Sequence, residues 1–366
     1  MARIRTLFAT AWARLSHART SLYANGVPDP ALGDQARLAA ERARRLKPND
    51  PLVYRAFGTY YSTINPVDLD RALAEYEQGI RLAPDNVVLL GALGVTESNL
   101  GRWDSAATLV ARAALLDPRS ADIAIQLADI LTMLRRYARA DSAADRALAL
   151  APTNPRVAWQ KVVVALGQGH LDSARAVIRA SSRQIDPGTL FSYMVVYQDL
   201  YWVLDDEAQR QVLALPPSAF DDDRGTWGLV RTQLYHLRGD RGRTAIYADS
   251  ARVAFAEQGR AAPEDAQRHA LLGVALAYLG RRVDAVREGQ RAVELQPISR
   301  DAYSGPYYPL QLARIYLLVG EPEKALDQLE PLLRIPYYLS PGWLKIDPTF
   351  APLKGNPRFE RLVAGE

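Results

Sequence analysis

The sequence predicts an all-α fold in which antiparallel helix pairs stack into a solenoid that ends in a non-repeat cap. Small residues and prolines recur with a period of 34 residues, and the apolar residues between them follow helical spacing. The composition is that of a folded chain, with 48% hydrophobic and 23% charged residues in a total of 366. Each period is therefore interpreted as one structural unit that packs on its neighbours.

The period is clearest between residues 87 and 152. Gly94, Ala106, Ala113 and Pro118 recur without a gap as Ala128, Ala140, Ala147 and Pro152, and the same spacing returns at Gly273, Ala285, Ala292 and Pro297. Apolar spacing predicts a first helix over 87–100 and a second over 104–116. A turn glycine such as Gly101 suits a left-handed helix end, and a proline ends the second helix. The small residues are predicted to let helices approach closely.

This small–small–small–proline pattern resembles the tetratricopeptide repeat. The resemblance implies a right-handed superhelix of helix pairs and a role as an interaction scaffold. The tail from Leu339 to Leu362 and the opening Ala11–Ser16 are similar to the C-terminal repeat regions of bacterial signalling proteins that carry Ser/Thr kinase, adenylate cyclase or winged-helix DNA-binding modules. No such module is present in this sequence, so the resemblance implies either a sensor half alone or a chain that acts with a separate partner.

The repeat pattern predicts four parts along the chain. Residues 1–187 hold about five units, and residues 227–336 hold about three. Between them, residues 188–226 form a divergent aromatic connector in which Tyr193, Tyr197 and Tyr201 are spaced by four, a pattern typical of packing. Residues 337–366 are predicted to cap the last apolar face, because a solenoid must cover its ends.

Several function classes are disfavoured by composition and by missing motifs. The net charge is only +4, and arginines alternate with acidic residues, so we expect no nucleic-acid partner. No apolar run is long enough for a membrane helix, so we expect no membrane insertion. The chain has no cysteine and four histidines, and it lacks phosphate-loop, kinase and zinc-protease motifs. We therefore expect no enzyme activity, no cofactor and no metal, and we interpret Asp221–Asp223 as a solvated loop.

The first helix of each pair is expected to line a concave groove, where side chains are not needed for packing between units. Arginine there can bind a peptide carboxylate, and tryptophan or tyrosine offers apolar contact area. The predicted binding residues are Arg14, His17, Arg55, Thr59, Gln126, Asp129, Trp159, Gln160, Tyr307, Gln311 and Arg314.

The resulting prediction is a non-catalytic scaffold that holds a peptide or a partner helix. Two alternatives stay open: a regulatory module in which the aromatic middle closes a small-molecule pocket, and a repeat protein that assembles with itself. The cytoplasm is the expected compartment, with the periplasm as the alternative for a fragment of a membrane-anchored protein.

Overall fold

The computed structural model describes residues 2–25, 29–64, 66–196 and 199–365, and within those ranges every regular element is helical. Tyr197, one of the three spaced tyrosines, lies outside the described residues. By contacts the chain divides into two compact units, Met1–Ile130 and Leu131–Glu366. The boundaries predicted at 187, 226 and 336 mark changes in repeat pattern, and they stay a prediction beside this division.

The first unit contains α1 to α6 and most of α7. The bounds are α1 Ala2–Asn25, α2 Pro30–Leu46, α3 Pro51–Thr63, α4 Leu69–Leu82, α5 Val87–Asn99, α6 Trp103–Leu116 and α7 Ala121–Met133. Consecutive helices pack as hairpins, α1 with α2, α3 with α4, and α5 with α6. The predicted helix pairs are thus confirmed in this unit.

The second unit continues the helical pairs and adds a non-repeat tail. Its helices are α8 Tyr137–Leu150, α9 Pro155–Gly167, α10 Leu171–Ser181, α11 Pro187–Val196, α12 Asp206–Ala214, α13 Arg224–Leu237, α14 Arg241–Ala261, α15 Ala266–Tyr278, α16 Arg282–Leu295, α17 Tyr307–Leu318, α18 Pro322–Arg334, α19 Pro341–Ile346 and α20 Pro357–Ala364. Short 3-10 turns lie at Leu200–Trp202, Pro217–Phe220 and Pro348–Leu353. None of the helices described in either unit has the length and apolar character needed to cross a bilayer.

The helix starts follow from local sequence. Helices α2, α3 and α9 each begin at a proline preceded by Asp29, Asp50 or Asn154, whose side-chain oxygen accepts the N–H two residues on, at 2.9 to 3.0 Å. Proline suits the first helical position because its missing N–H would have no partner there. Helices α5, α7 and α9 each have 13 residues and begin 34 residues apart, which confirms the period.

The anchor residues pack as predicted. Ala106, Ala113, Ala140 and Ala147 are all fully buried. A Cβ added to Gly94 would approach Val110 to 2.5 Å, so this helix crossing requires glycine. The spacing of small residues therefore predicts where two helices pack closely.

Left-handed turns end the first helices of several pairs. Gly101, Gly169 and Gly280 have φ of 78°, 79° and 71°, as the predicted helix C-termini require. Arg135 stands at the equivalent place between Gly101 and Gly169 and also adopts a positive φ, 54°. A non-glycine residue is uncommon in this conformation, so its side chain needs a compensating role.

Candidate functional site

The predicted site residues of the first unit include a basic cluster, defined as Arg14 and His17 on α1 with Arg55 on α3. Arg14 is exposed, whereas His17 and Arg55 are half-buried. An Nη2 of Arg55 lies 3.1 Å from Nε2 of His17. Helices α1 and α3 pack against each other, and this contact brings Arg55 to His17, while the charge of Arg14 acts on Arg55.

The hydrogen bond between Arg55 and His17 determines which atoms of the cluster can donate. Burial, and then the charge of Arg55, lower the pKa of His17, so the imidazole is neutral at pH 7. A guanidinium can only donate, so Nε2 accepts and the proton sits on Nδ1. That Nδ1 is buried and has no hydrogen-bond partner among the described residues. The cluster therefore offers donors and lacks an acceptor for them.

The charge of the cluster is also uncompensated. Burial lowers the pKa of Arg55, Tyr76 opposes this, and the like charge of Arg14 lowers the pKa further. In the described ranges no carboxylate lies within ion-pair distance of Arg14 or Arg55, although other half-buried arginines, such as Arg44, Arg268 and Arg358, have one. An anion placed here would be attracted by both guanidinium groups.

The other three predicted residues of the first unit have partners or lie elsewhere. The Thr59 hydroxyl donates to the Arg55 carbonyl at 2.9 Å and lies 3.1 Å from the Tyr76 hydroxyl, so the chain itself satisfies it. Gln126 and Asp129 lie on α7 and are half-buried. Gln126 covers Gly91, where an added Cβ would approach its Oε1 to 2.9 Å. Asp129 is engaged with another residue.

The predicted site residues of the second unit are covered by the chain itself. Trp159, Gln160, Gln311 and Arg314 are at least nine-tenths buried, and Tyr307 is half-buried. Gln160 donates to Thr132 Oγ1 at 3.3 Å, and the Trp159 ring packs edge-on against Tyr193 at 6.3 Å between centroids. These five side chains belong to an interior, and a role in binding a partner stays a prediction.

A buried ionic network occupies the centre of the second unit. Arg314 pairs with Asp199, and its Nη2 lies 3.9 Å from Asp347 Oδ2. Gln311 and Gln233 also donate to Asp199, at 2.9 and 3.2 Å. Burial alone would lower the pKa of Arg314, but Asp199 and Asp347 raise it, and the guanidinium keeps its charge. Burial raises the pKa of Asp347, against the opposing pull of Arg314.

The tail reaches this interior from the end of α18. The Tyr337 N–H donates to the Met133 carbonyl at 3.0 Å, and Ser340 Oγ donates to the Gly167 carbonyl at 2.6 Å. Trp343 is fully buried, and its ring packs edge-on against Trp202 at 6.2 Å. The tail also covers the last pair, since α20 packs on α18. The segment predicted to cap one end therefore fills the inside of the unit as well.

Arg135 is a structural position that the sequence analysis did not identify. Its guanidinium donates to the Leu339 carbonyl at 2.9 Å and to the Leu332 carbonyl at 3.4 Å, and so holds the tail. This contact explains an arginine where the period places a glycine. The signal was present in the sequence, because Gly101 and Gly169 flank Arg135 at the repeat distance.

A cavity of about 620 Å³ lies beside the aromatic middle of the second unit. It is lined by Leu171, Arg175, Trp202, Asp206, Gln209, Leu237, Arg238, Ile346 and Pro348. Arg175 uses Nε to donate to the Val203 carbonyl at 3.0 Å, and Arg238 is paired with Asp206. The Trp202 indole N–H is buried and has no acceptor among the described residues.

The three consecutive aspartates are not equivalent. Asp221 and Asp222 are exposed, with φ of 54° and 58°. Asp223 instead caps α13 by accepting the Gly225 N–H at 2.9 Å, and it pairs with Arg268 at 2.9 Å. The interpretation as a solvated loop is wrong for Asp223, because the cap and the ion pair hold its side chain.

Comparison with known proteins gives no family assignment. No protein-family model matches the sequence, and no curated protein matches it. A solved structure of PilF from Pseudomonas aeruginosa is 15% identical, with a TM-score of 0.43, over 71% of this chain and 94% of its own. A structure of MamA is 17% identical, with a TM-score of 0.38, over 42% of this chain and 90% of its own. A structure of MamA from AMB-1 is 22% identical, with a TM-score of 0.36, over 50% of this chain and 99% of its own. Similarities this low carry no functional assignment.

Proposed function

We propose that the protein is a non-catalytic scaffold that binds a carboxylate-bearing peptide at the basic cluster of Arg14, His17 and Arg55. The observation that carries the proposal is the set of unmatched donors described above. The Arg55 guanidinium lies against His17, whose other imidazole N–H is buried, and the charge of Arg14 acts on Arg55; none of the three has an anionic partner among the residues described.

A peptide carboxylate suits this chemistry. Arginine binds carboxylates with two parallel hydrogen bonds, and such charged bonds are stronger than neutral ones. The bound carboxylate would also relieve the repulsion between Arg14 and Arg55. The predicted residues of the second unit are largely buried by the chain itself, and Arg314 among them lies near Asp347 of the tail. The first unit is therefore the proposed binding region.

The finer parts of this proposal rest on the tetratricopeptide resemblance. They are a bacterial signalling role, action together with a kinase, cyclase or DNA-binding module, and a cytoplasmic location. The geometry of the basic cluster is independent of them.

The test is an array of synthetic peptides that carry free or amidated C-termini and variable numbers of aspartates and glutamates. Wild-type protein is compared with Arg14→Gln and Arg55→Gln, and with Arg45→Gln as the control, because Arg45 is an exposed arginine on α2. We expect retained peptides to be rich in carboxylates. Each cluster variant should bind the retained peptides with about tenfold lower affinity, as expected for loss of one charged hydrogen-bond pair. Equal retention by Arg45→Gln and Arg55→Gln would contradict the proposal.

A second candidate function is supported by the cavity lined by Arg175 and Trp202. Its volume of about 620 Å³ lies in the range of small-molecule sites. An anionic metabolite with an apolar body would find the Arg175 guanidinium there beside the apolar side chains of Leu171 and Leu237. Tryptophan fluorescence against a panel of organic acids tests this, with Arg175→Gln as the variant and the exposed Arg183→Gln as the control. If fluorescence changes only with peptides, the cavity is not a sensor site.

A further inference from the structure

Helix α1 carries a second apolar face, opposite the one that packs on α2. Its buried residues follow a three-four spacing and are Ala9, Ala13, Ser16, Thr20 and Tyr23. Five of its exposed residues follow the same spacing and are apolar, namely Phe8, Ala11, Leu15, Ala18 and Leu22, while Arg14 and Ala24 are exposed beside them. Phe8 is 57% exposed and Leu22 is 63% exposed. Single exposed apolar residues are ordinary, but five in one heptad register form a continuous seam.

Leu38 of α2 widens this seam. Arg19 on α1 donates to the Gln35 carbonyl at 3.0 Å, and the Arg42 guanidinium lies 4.8 Å from the centre of the Trp12 ring. Leu38 lies between those two contacts along α2 and is 51% exposed. Among the described residues, the outer face of this hairpin is therefore an apolar strip.

The charged residues beside this apolar seam of α1 determine which kind of partner can bind to it. With Phe8, Leu15 and Leu22 at the first heptad position, Arg14 and Arg19 occupy the two flanking positions that face a partner helix. The whole of α1 contains four arginines and no aspartate or glutamate. On α2, Asp34 and Glu41 are already paired with Arg37, at 3.6 and 2.7 Å.

A second copy of this chain would fit poorly, because pairing α1 with α1 can only bring positive charges together. A bilayer would also gain little, because the seam is narrow and Ala11 and Ala18 offer little apolar area. Small residues alternating with leucine instead allow close approach of another helix. We propose that the outer face of α1 and α2 docks an amphipathic helix of another protein, whose apolar seam is flanked by glutamates or aspartates.

The experiment uses the full chain and two synthetic three-heptad peptides. Both carry leucine and alanine in the seam, and one has glutamate in the flanking positions where the other has lysine. Binding is measured by fluorescence polarisation at low and high salt, with Leu15→Ser/Leu22→Ser as the variant. The control is Leu115→Ser, which removes a leucine that is 83% exposed on α6. Because the substituted side chains are exposed, the fold should tolerate these changes, and circular dichroism verifies this.

We expect the glutamate peptide to bind about tenfold more tightly than the lysine peptide, with the difference shrinking at high salt. The seam variant should lose this binding, and Leu115→Ser should keep it. Three results would each overturn the proposal. They are equal binding or no binding of the two peptides, wild-type dimerisation that the seam variant abolishes, and sedimentation with phosphatidylcholine–phosphatidylglycerol vesicles that the seam variant abolishes.

Discussion

Removal of the buried guanidinium of Arg314 is the most demanding test of the second unit's interior. In Arg314→Met an uncharged side chain of similar length replaces the arginine side chain, and Asp199 and Asp347 lose their cation. Both carboxylates are shielded from solvent, with side-chain exposures of 10% and 0%. Removing one partner of a buried ion pair typically costs about 3–5 kcal/mol, because the remaining charge is buried without compensation.

The pH dependence of this loss can be derived from Asp347. Burial already raises its pKa, and loss of Arg314 removes the interaction that opposed this rise. The variant can escape the buried charge by protonating the carboxyl group. Starting from an ordinary pKa near 3.9, that step costs about 4 kcal/mol at pH 7 and about 1.5 kcal/mol at pH 5. Arg314→Met should therefore be destabilised by about 3–5 kcal/mol at pH 7 and clearly less at pH 5.

Urea unfolding followed by tryptophan fluorescence measures this effect in the full chain, because Trp202 and Trp343 lie in the same interior. Arg183→Met, at an exposed position after α10, is the control for loss of one positive charge. If Arg314→Met lowers the free energy of unfolding by less than about 1 kcal/mol, or by the same amount at pH 7 and pH 5, the guanidinium does not neutralise these carboxylates.

Two further predictions concern packing and acid stability. Ala140→Leu should destabilise the protein by about 1–3 kcal/mol through overpacking, since Ala140 is fully buried, while Ala138→Leu on the exposed side of α8 should be near neutral in urea melts. Asp223→Asn should cost about 1.5–3 kcal/mol at pH 7, because it removes a charged partner from Arg268. Burial raises the pKa of Asp223, but bonds from Gln258, Arg268 and Thr226 outweigh it, and the pKa is lowered from 3.8. The native protein loses this stabilisation as the pH falls below about 4, so the gap to Asp223→Asn should close there. Asp222→Asn, which keeps a residue that tolerates positive φ, should match wild type throughout.

The repeat and its helix bounds could be predicted from the sequence because they depend on local rules. Local backbone geometry selects each of the residue types that mark the repeat. These are alanines at fixed spacing, prolines at helix starts and glycines in left-handed turns. Gly94 and Ala106 therefore indicated a helix crossing without knowledge of any distant residue.

The candidate site could be predicted only in part, because the exposure of a helix residue depends on whether a segment distant in sequence packs over it. Arg55 and Arg314 occupy similar places on the first helices of their pairs, and sequence reasoning treated them alike. Arg55 has no acidic partner among the described residues, whereas Arg314 meets Asp199 and Asp347 from far along the chain. Helical spacing predicts which face of a helix a residue lies on, but it does not reveal a later segment that folds over that face.

The hydrogen bond from Arg135 to the Leu339 carbonyl limits when the second unit can fold. The two residues are 204 positions apart, whereas helix hairpins in a solenoid contact only their neighbours. On a ribosome, the early pairs of this unit would emerge before the segment that packs on their inner side chains has been synthesised. Contacts at such separation slow folding because a long loop must close first. Maturation of the second unit should therefore wait until Leu339 and the residues around it have been synthesised, while the hairpins of the first unit can form as they are synthesised.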